Sequence, residues 1–231
     1  MKTIGLIGGM SWESSAEYYR AINQEMKRRL GGHNNARSLM LTVNFHEVEA
    51  MQREGAWEAL GVQMQDAVRQ LERGGADCIV LCTNTMHKVA AHIESVATVP
   101  FLHIADPTAQ AIQAQGFTTV GLIGTRFTMD HDFYRGRLES KFGLSVLTPN
   151  EADRQHVHRI IYDELCHGKV IAPSRRTYQR VIDDLKARGA QAVILGCTEI
   201  TLLIKPEDSS LPVFDTTRIH AHAAVSFALD G

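Results

Sequence analysis

Residues 71–85 read LERGGADCIVLCTNT, and residues 185–199 read LKARGAQAVILGCTE. Each stretch passes from a charged, helix-like end through glycine into a short apolar run, then into small polar residues. A continuous apolar run of that length, bounded by turn signals, is the pattern of a strand buried on both faces of a parallel sheet. The two stretches are offset by 185 − 71 = 114 residues. A second pair, TIGLIGGM from Thr3 and TVGLIGTR from Thr119, is offset by 119 − 3 = 116. A third echo links VPFLHIAD near Pro100 with LPVFDTTR near Pro212. Near-equal offsets at several places indicate one α/β unit present twice.

Working outward, further apolar runs lie at Ile4–Ile7, Leu39–Phe45, Val120–Ile123 and Ala192–Leu195, with weaker ones at Phe101–Ile104 and Val213–Phe214. Helix-like amphipathic segments separate them, at Ala16–Leu30, Trp57–Arg73, Asp132–Phe142 and Arg175–Arg188. Strands alternating with helices predict an α/β fold with parallel sheets covered by helices. The expected architecture is two similar α/β lobes related by a pseudo-twofold axis. They are residues 1–115, whose closing helix is free to cross over, and 116–231. Ligands in such sheets lie beyond the carboxyl ends of the strands, so the active site is expected in the cleft between the lobes.

The 231-residue chain is 44% hydrophobic and 22% charged with a formal net charge of −2, a balance that gives no electrostatic footprint for nucleic acid. No stretch approaches the roughly 20 apolar residues of a membrane span. The apolar run near the start is followed at once by Trp12, Glu13 and Glu17, unlike a secretory signal. The four cysteines, Cys78, Cys82, Cys166 and Cys197, have no C-x-x-C spacing. A reduced, cytoplasmic setting is expected.

The repeat also points to a site. Adding 114 to Thr83 gives Cys197, so these residues hold equivalent places, one in each half. Cys197 precedes a helix-like Thr198–Ile204, where a helix N-terminus would favour a thiolate. Asn84 and Thr85 offer amide and hydroxyl donors to a carboxylate. Groups on opposite faces of a planar carbanion are what inversion at a carbon stereocentre needs, one removing the α-proton and the other returning it. No metal or organic cofactor is required in principle. His156 and His158, like His220 and His222, are two apart on helix-like segments and make no natural chelate.

LCTNTMH at 81–87 and GCTEI at 196–200 resemble the paired motifs of the aspartate/glutamate racemase family. IGLIGGMSWESS at 4–15 and TRFTMDHDFYRGRL at 125–138 resemble its amino-acid racemase branch. The resemblance runs through essentially the whole chain. It implies a cofactor-independent racemase of two α/β lobes, assembled as a homodimer, acting on a small amino acid such as L-aspartate or L-glutamate. It implies Cys197 and the position of Thr83 as the catalytic pair, with Met10, Gln52, Asn84, Thr85, Thr125, Thr128 and Thr198 holding the substrate's ammonium and carboxylate. Glu199 would tune or orient Cys197, or complement a helix start. Lys169 would grip a side-chain carboxylate, or is a solvated lysine after Gly168.

The family pattern has cysteine at both catalytic places, whereas this chain has threonine at 83. Cys82 is no substitute, because adjacent strand residues point to opposite faces. Thr83 would relay a proton, with water or His87 behind it, and L-amino acids would be deprotonated more readily than D-forms are turned over. Two other readings stay open: a single-cysteine decarboxylase of the same superfamily, and a non-catalytic amino-acid-binding protein.

Overall fold

The computed structural model describes residues 1–230. It divides into two compact units, one formed by residues 1–104 with the segment from His220 onward, the other by Ala105–Ile219.

In the first unit the chain runs β1 (Ile4–Gly8), α1 (Trp12–Leu30), β2 (Ser38–Thr42), α2 (Phe45–Glu54), α3 (Trp57–Arg73), β3 (Cys78–Leu81), α4 (Ala90–Val96) and β4 (Phe101–Leu102). The strands form one parallel sheet in the order β2-β1-β3-β4. Side-chain alternation in β1 and β3 feeds two cores. Ile7, Ile79 and Leu81 pack with Leu60, Met64, Val68 and Leu71 of α3. Ile4, Leu6, Cys78 and Val80 pack with Tyr18, Ile22 and Met26 of α1.

The second unit repeats the plan: α5 (Ala105–Ala114), β5 (Thr119–Gly124), α6 (Arg126–Asp130), α7 (Asp132–Phe142), β6 (Ser145–Leu147), α8 (Glu151–Asp163), α9 (Ala172–Ala187), β7 (Ala192–Gly196), α10 (Ile200–Leu203) and β8 (Val213–Asp215), leading into α11 (Thr216–Leu229). Its parallel sheet has the order β6-β5-β7-β8. Ile123, Val193 and Leu195 pack with Val157, Ile160 and Ile161 of α8 and with Tyr178, Val181, Ile182 and Leu185 of α9.

Even the strand register repeats. Ile7 pairs with Leu81 in one sheet and Ile123 with Leu195 in the other, and 7 + 116 = 123 while 81 + 114 = 195. The two offsets measured on the sequence are therefore the offsets of two equivalent strands.

The units divide at 104/105, not at 115/116. α5 goes with the second unit because Asp106 is gripped by Arg137 (2.6 and 2.9 Å) and Lys141 (2.7 Å) on α7. The last ten residues of α11 go with the first because Ala221, Ala224, Val225 and Ala228 join the α1 core, a helical i, i+3, i+4, i+7 stripe. The strand expected at Leu39–Phe45 stops at Thr42, because Asn44 caps α2 by accepting the His46 amide at 3.1 Å. α1 begins four residues before Ala16, capped by Ser11, whose hydroxyl accepts the Ser14 amide at 3.2 Å. Strand β6 was not expected; only Val146 of its three residues is buried, so its apolar signal is weak.

Among the described residues, no helix is long and apolar enough to cross a membrane. One ion cluster gives a stability prediction. Glu25 on α1 is buried and accepts from Arg28 (2.6 and 2.7 Å) and Arg29 (2.7 Å). The Arg28 hydrogen bonds, opposed by burial and aided by Arg29, hold its carboxyl at about 2, against an ordinary 4.5. A carboxyl whose value is depressed on folding stabilises the fold above its unfolded value and loses that contribution as acid protonates it. The melting temperature is therefore expected to fall between about pH 4.5 and about pH 2, less steeply in Glu25→Gln than in the wild type.

Candidate functional site

In the second unit, Thr125 and Cys197 leave neighbouring strands side by side, because Gly124 of β5 pairs with Gly196 of β7. That closeness needs glycine. A Cβ on Gly124 would lie 2.8 Å from the Gly196 carbonyl oxygen and 3.2 Å from Thr128 Cβ. Gly124→Ala is expected to cost about 1–3 kcal/mol, the usual range for overpacking, read as a lower denaturant midpoint.

Cys197 is buried, and its Sγ–H donates to Glu199 Oε2 at 3.0 Å. Burial first, then the Glu199 carboxylate, pushes the thiol well above its ordinary value, outweighing the Glu199 amide that lowers it. The thiolate expected from a helix start is thus corrected to a resting thiol. The physical reason is local: the helix-like Thr198–Ile204 contributes only a four-residue α10, Ile200–Leu203, while a carboxylate sits against the sulfur. Glu199 contacts the sulfur and makes no side-chain cap to α10.

Around this pair, Thr198 Oγ1 lies 2.9 Å from Thr217 Oγ1. Thr125 caps α6, its hydroxyl accepting the Thr128 amide at 3.3 Å and lying 3.3 Å from Thr128 Oγ1. Thr125, Thr128, Thr198 and Thr217 are all buried. Lys169 is exposed; it follows Gly168, the left-handed cap of a short turn at Leu165–His167, and its amide donates to Glu164 O at 2.9 Å.

In the first unit, the residues after β1 and β3 hold the equivalent places. Thr83, Asn84 and Thr85 are buried where β3 ends. The Thr83 amide donates to Leu81 O at 2.9 Å, and the Thr83 carbonyl accepts from His87 Nδ1 at 2.7 Å. The Ile104 amide donates to His87 Nε2 at 3.1 Å. Since Nε2 accepts, the proton sits on Nδ1, and a proton relay through His87 to the Thr83 hydroxyl is replaced by a grip on the main chain. Cys82 points into the α1 core, and burial raises its thiol far above the ordinary value. Gln52 is buried on α2, its Nε2 3.2 Å from Met86 Sδ. Met10 is buried just after Gly9, whose φ of +94° and 2.2 Å clearance between an added Cβ and Val43 O admit no other residue.

Several supporting residues were not read from the sequence. Ser15 Oγ accepts the Gly9 amide at 2.7 Å and donates to Ser11 O at 2.9 Å, fixing the loop that carries Met10. Thr216 Oγ1 donates to Leu195 O at 2.9 Å, and Thr217 meets Thr198. Both threonines stand in LPVFDTTR, the third repeat echo, where the signal was available. Cys78 and Cys166 keep packing roles, one in the α1 core and the other against the α8–α9 core. His158 Nδ1 accepts the Arg126 amide at 3.3 Å. Among the described residues, no group of three or more His, Cys, Asp or Glu is placed to hold a metal ion.

This arrangement has relatives. The family profile described as Asp/Glu/Hydantoin racemase matches residues 7–224. The crystal structure of a candidate Asp/Glu racemase from Yersinia pestis is 53% identical, covering 99% of this chain and 100% of that one, with a TM-score of 0.93. PH1733, an aspartate racemase homologue from Pyrococcus horikoshii OT3, is 34% identical over 99% of each chain, with a TM-score of 0.85. The broad specificity amino-acid racemase RacX of Bacillus subtilis (strain 168) is 25% identical over 161 residues, which are 70% of this chain and 69% of that protein. With the profile spanning both repeats and both strand ends that carry Thr83 and Cys197, the chain belongs to the Asp/Glu/Hydantoin racemase family.

Proposed function

We propose that this protein racemises an acidic amino acid, L-aspartate or L-glutamate, without an organic cofactor. Cys197 serves one face of the α-carbon and Thr83 the other. The observation that carries this reading is the Cys197 thiol bonded to the Glu199 carboxylate at 3.0 Å, standing in the second sheet where Thr83 stands in the first. The similarity to an aspartate racemase homologue and to an amino-acid racemase supports the substrate class.

The chemistry follows from the resting protonation. As Cys197 takes the α-proton, its own proton passes to Glu199, so the dyad needs no free thiolate at rest. The α-carbanion is then protonated from the Thr83 hydroxyl, directly or through a water. The cycle closes as the Thr83 oxygen regains a proton from solvent and Glu199 releases the one it took. Hydroxyl and amide donors of Thr85, Asn84, Thr125, Thr128 and Thr198, with Gln52 and Met10 around the substrate, would hold the α-carboxylate and offset the charge that develops on it. Lys169 would supply a point charge to the side-chain carboxylate. The test is α-proton exchange followed by NMR in D2O, with L- and D-aspartate and glutamate. Deuterium entering the L-form together with D-product supports the reading; no exchange from any of the four overturns it.

A second reading has one observation in its favour. A lone thiol held protonated is also suited to delivering a proton to one face of a carbanion left by decarboxylation. Release of carbon dioxide from an arylmalonate, with no amino-acid exchange, would decide for it.

A further inference from the structure

We infer that His87 is a positioning residue for the Thr83 step, acting through the Thr83 main chain; the inference rests on the proposed racemase reading. His87 is buried, and both of its ring nitrogens are engaged. The Ile104 amide fixes the tautomer by donating to Nε2 at 3.1 Å, which leaves Nδ1–H to donate to Thr83 O at 2.7 Å. With the Thr83 amide already bonded to Leu81 O at 2.9 Å, both peptide groups flanking the Thr83 side chain are pinned. The Thr83 oxygen is one torsion away from the main chain, so pinning those groups confines it to the few staggered positions of that torsion.

The ring cannot easily turn away from this task. It stacks on Phe101, with centroids 5.5 Å apart and planes at 25°, and meets His103 edge-on at 4.5 Å. The segment that carries Ile104 is itself held one layer below. His220 Nε2 donates to Leu102 O at 2.6 Å, while Tyr18 OH donates to His220 Nδ1 at 2.9 Å. His87 therefore ties the turn after β3 to the residue just beyond β4, and His220 ties the end of β4 to Tyr18 of α1.

The repeat gives an independent argument. Adding 114 to His87 gives Thr201, and the Thr201 hydroxyl donates to Thr198 O at 2.7 Å, one residue after Cys197. Each half thus uses the side chain at this equivalent place to grip a main-chain carbonyl beside its reacting residue. The two grips differ in length: a rigid imidazole reaches the Thr83 carbonyl itself, whereas the short hydroxyl in the other half reaches only the next residue.

Two substitutions separate the two hydrogen bonds. In His87→Asn the side-chain amide can still donate to Thr83 O in place of Nδ1–H. In His87→Gln the amide oxygen can still accept from the Ile104 amide in place of Nε2, but the donor to Thr83 is lost. Deuterium exchange into the L-substrate reports the Cys197 step, and formation of D-product reports the Thr83 step. D-product formation in His87→Gln is expected to fall on the order of tenfold or more, since small misplacements of a reacting group are expensive. Exchange into the L-form should stay within about twofold, with KM unchanged, and His87→Asn should recover most of the inversion rate. Equal losses in both variants, loss of exchange in step with inversion, or an unchanged inversion rate would each overturn the inference. Absence of exchange in the wild type would overturn the racemase reading and this role with it. A readout free of activity is the long-range proton–nitrogen NMR spectrum of the imidazoles. It should show His87 as the Nδ1–H tautomer, and the opposite tautomer would overturn the inference by itself.

Discussion

Cys197→Ala is expected to lower both α-proton exchange and racemisation by about three orders of magnitude or more, within or beyond the usual range for a positioned acid–base group. On the proposed reading the substitution removes the atom that would meet the α-proton and leaves Glu199 behind, its Oε2 3.0 Å from where the sulfur stood. A carboxylate placed to receive a proton from sulfur is one atom too remote to take it from carbon. The fold should survive, because alanine is smaller than cysteine and the thiol makes its hydrogen bond to a neighbour only two residues away. Chiral chromatography of aspartate and glutamate after incubation gives the racemisation rate, and a thermal melt verifies folding. A well-folded variant retaining more than about a tenth of the rate would move the base role from Cys197 to Glu199.

The equivalence of Cys197 and Thr83 is legible in the sequence because a repeat carries positional information that composition lacks. Offsets of 114 and 116 identify which strands are equivalent, and the observed registers, Ile7 with Leu81 and Ile123 with Leu195, have those offsets. Buried central strands such as β3 and β7 announce themselves through unbroken apolar runs. Edge strand β6, with one buried residue, does not. The protonation state of Cys197 is not legible either. A helix start favours a thiolate, but the length of α10 and the direction of the Glu199 carboxylate are properties of the folded turn. His87 shows the same limit from the other side. Four residues from Thr83, it invites a side-chain relay, and only the Ile104 amide, from a strand end 17 residues away, fixes its proton on Nδ1 and its bond on a carbonyl.

Thr83→Cys is expected to raise the inversion rate by about 10²-fold, toward the range that acid–base groups supply when suitably matched, while changing exchange into the L-form little. A hydroxyl is a far weaker acid than a thiol with its ordinary value of ~8.5, so it delivers a proton to the carbanion more slowly and, by microscopic reversibility, is the poorer base toward the D-form. In the wild type, deprotonation of the L-form by Cys197 should therefore run ahead of proton delivery from the Thr83 side. Much of the carbanion is then expected to return to the L-form, with exchange exceeding inversion. The second cysteine should bring that ratio toward unity. Enantiomers have equal free energy, so kcat/KM for L to D must equal kcat/KM for D to L in either protein. A small D-side kcat in the wild type must come with a proportionately small KM, and in Thr83→Cys both should rise together. Progress curves started from each pure enantiomer, with deuterium content read at intervals, measure all of these quantities. A ratio of exchange to inversion already near unity in the wild type would show that Thr83 limits nothing. An unchanged ratio in a folded Thr83→Cys would place the returning acid at another residue.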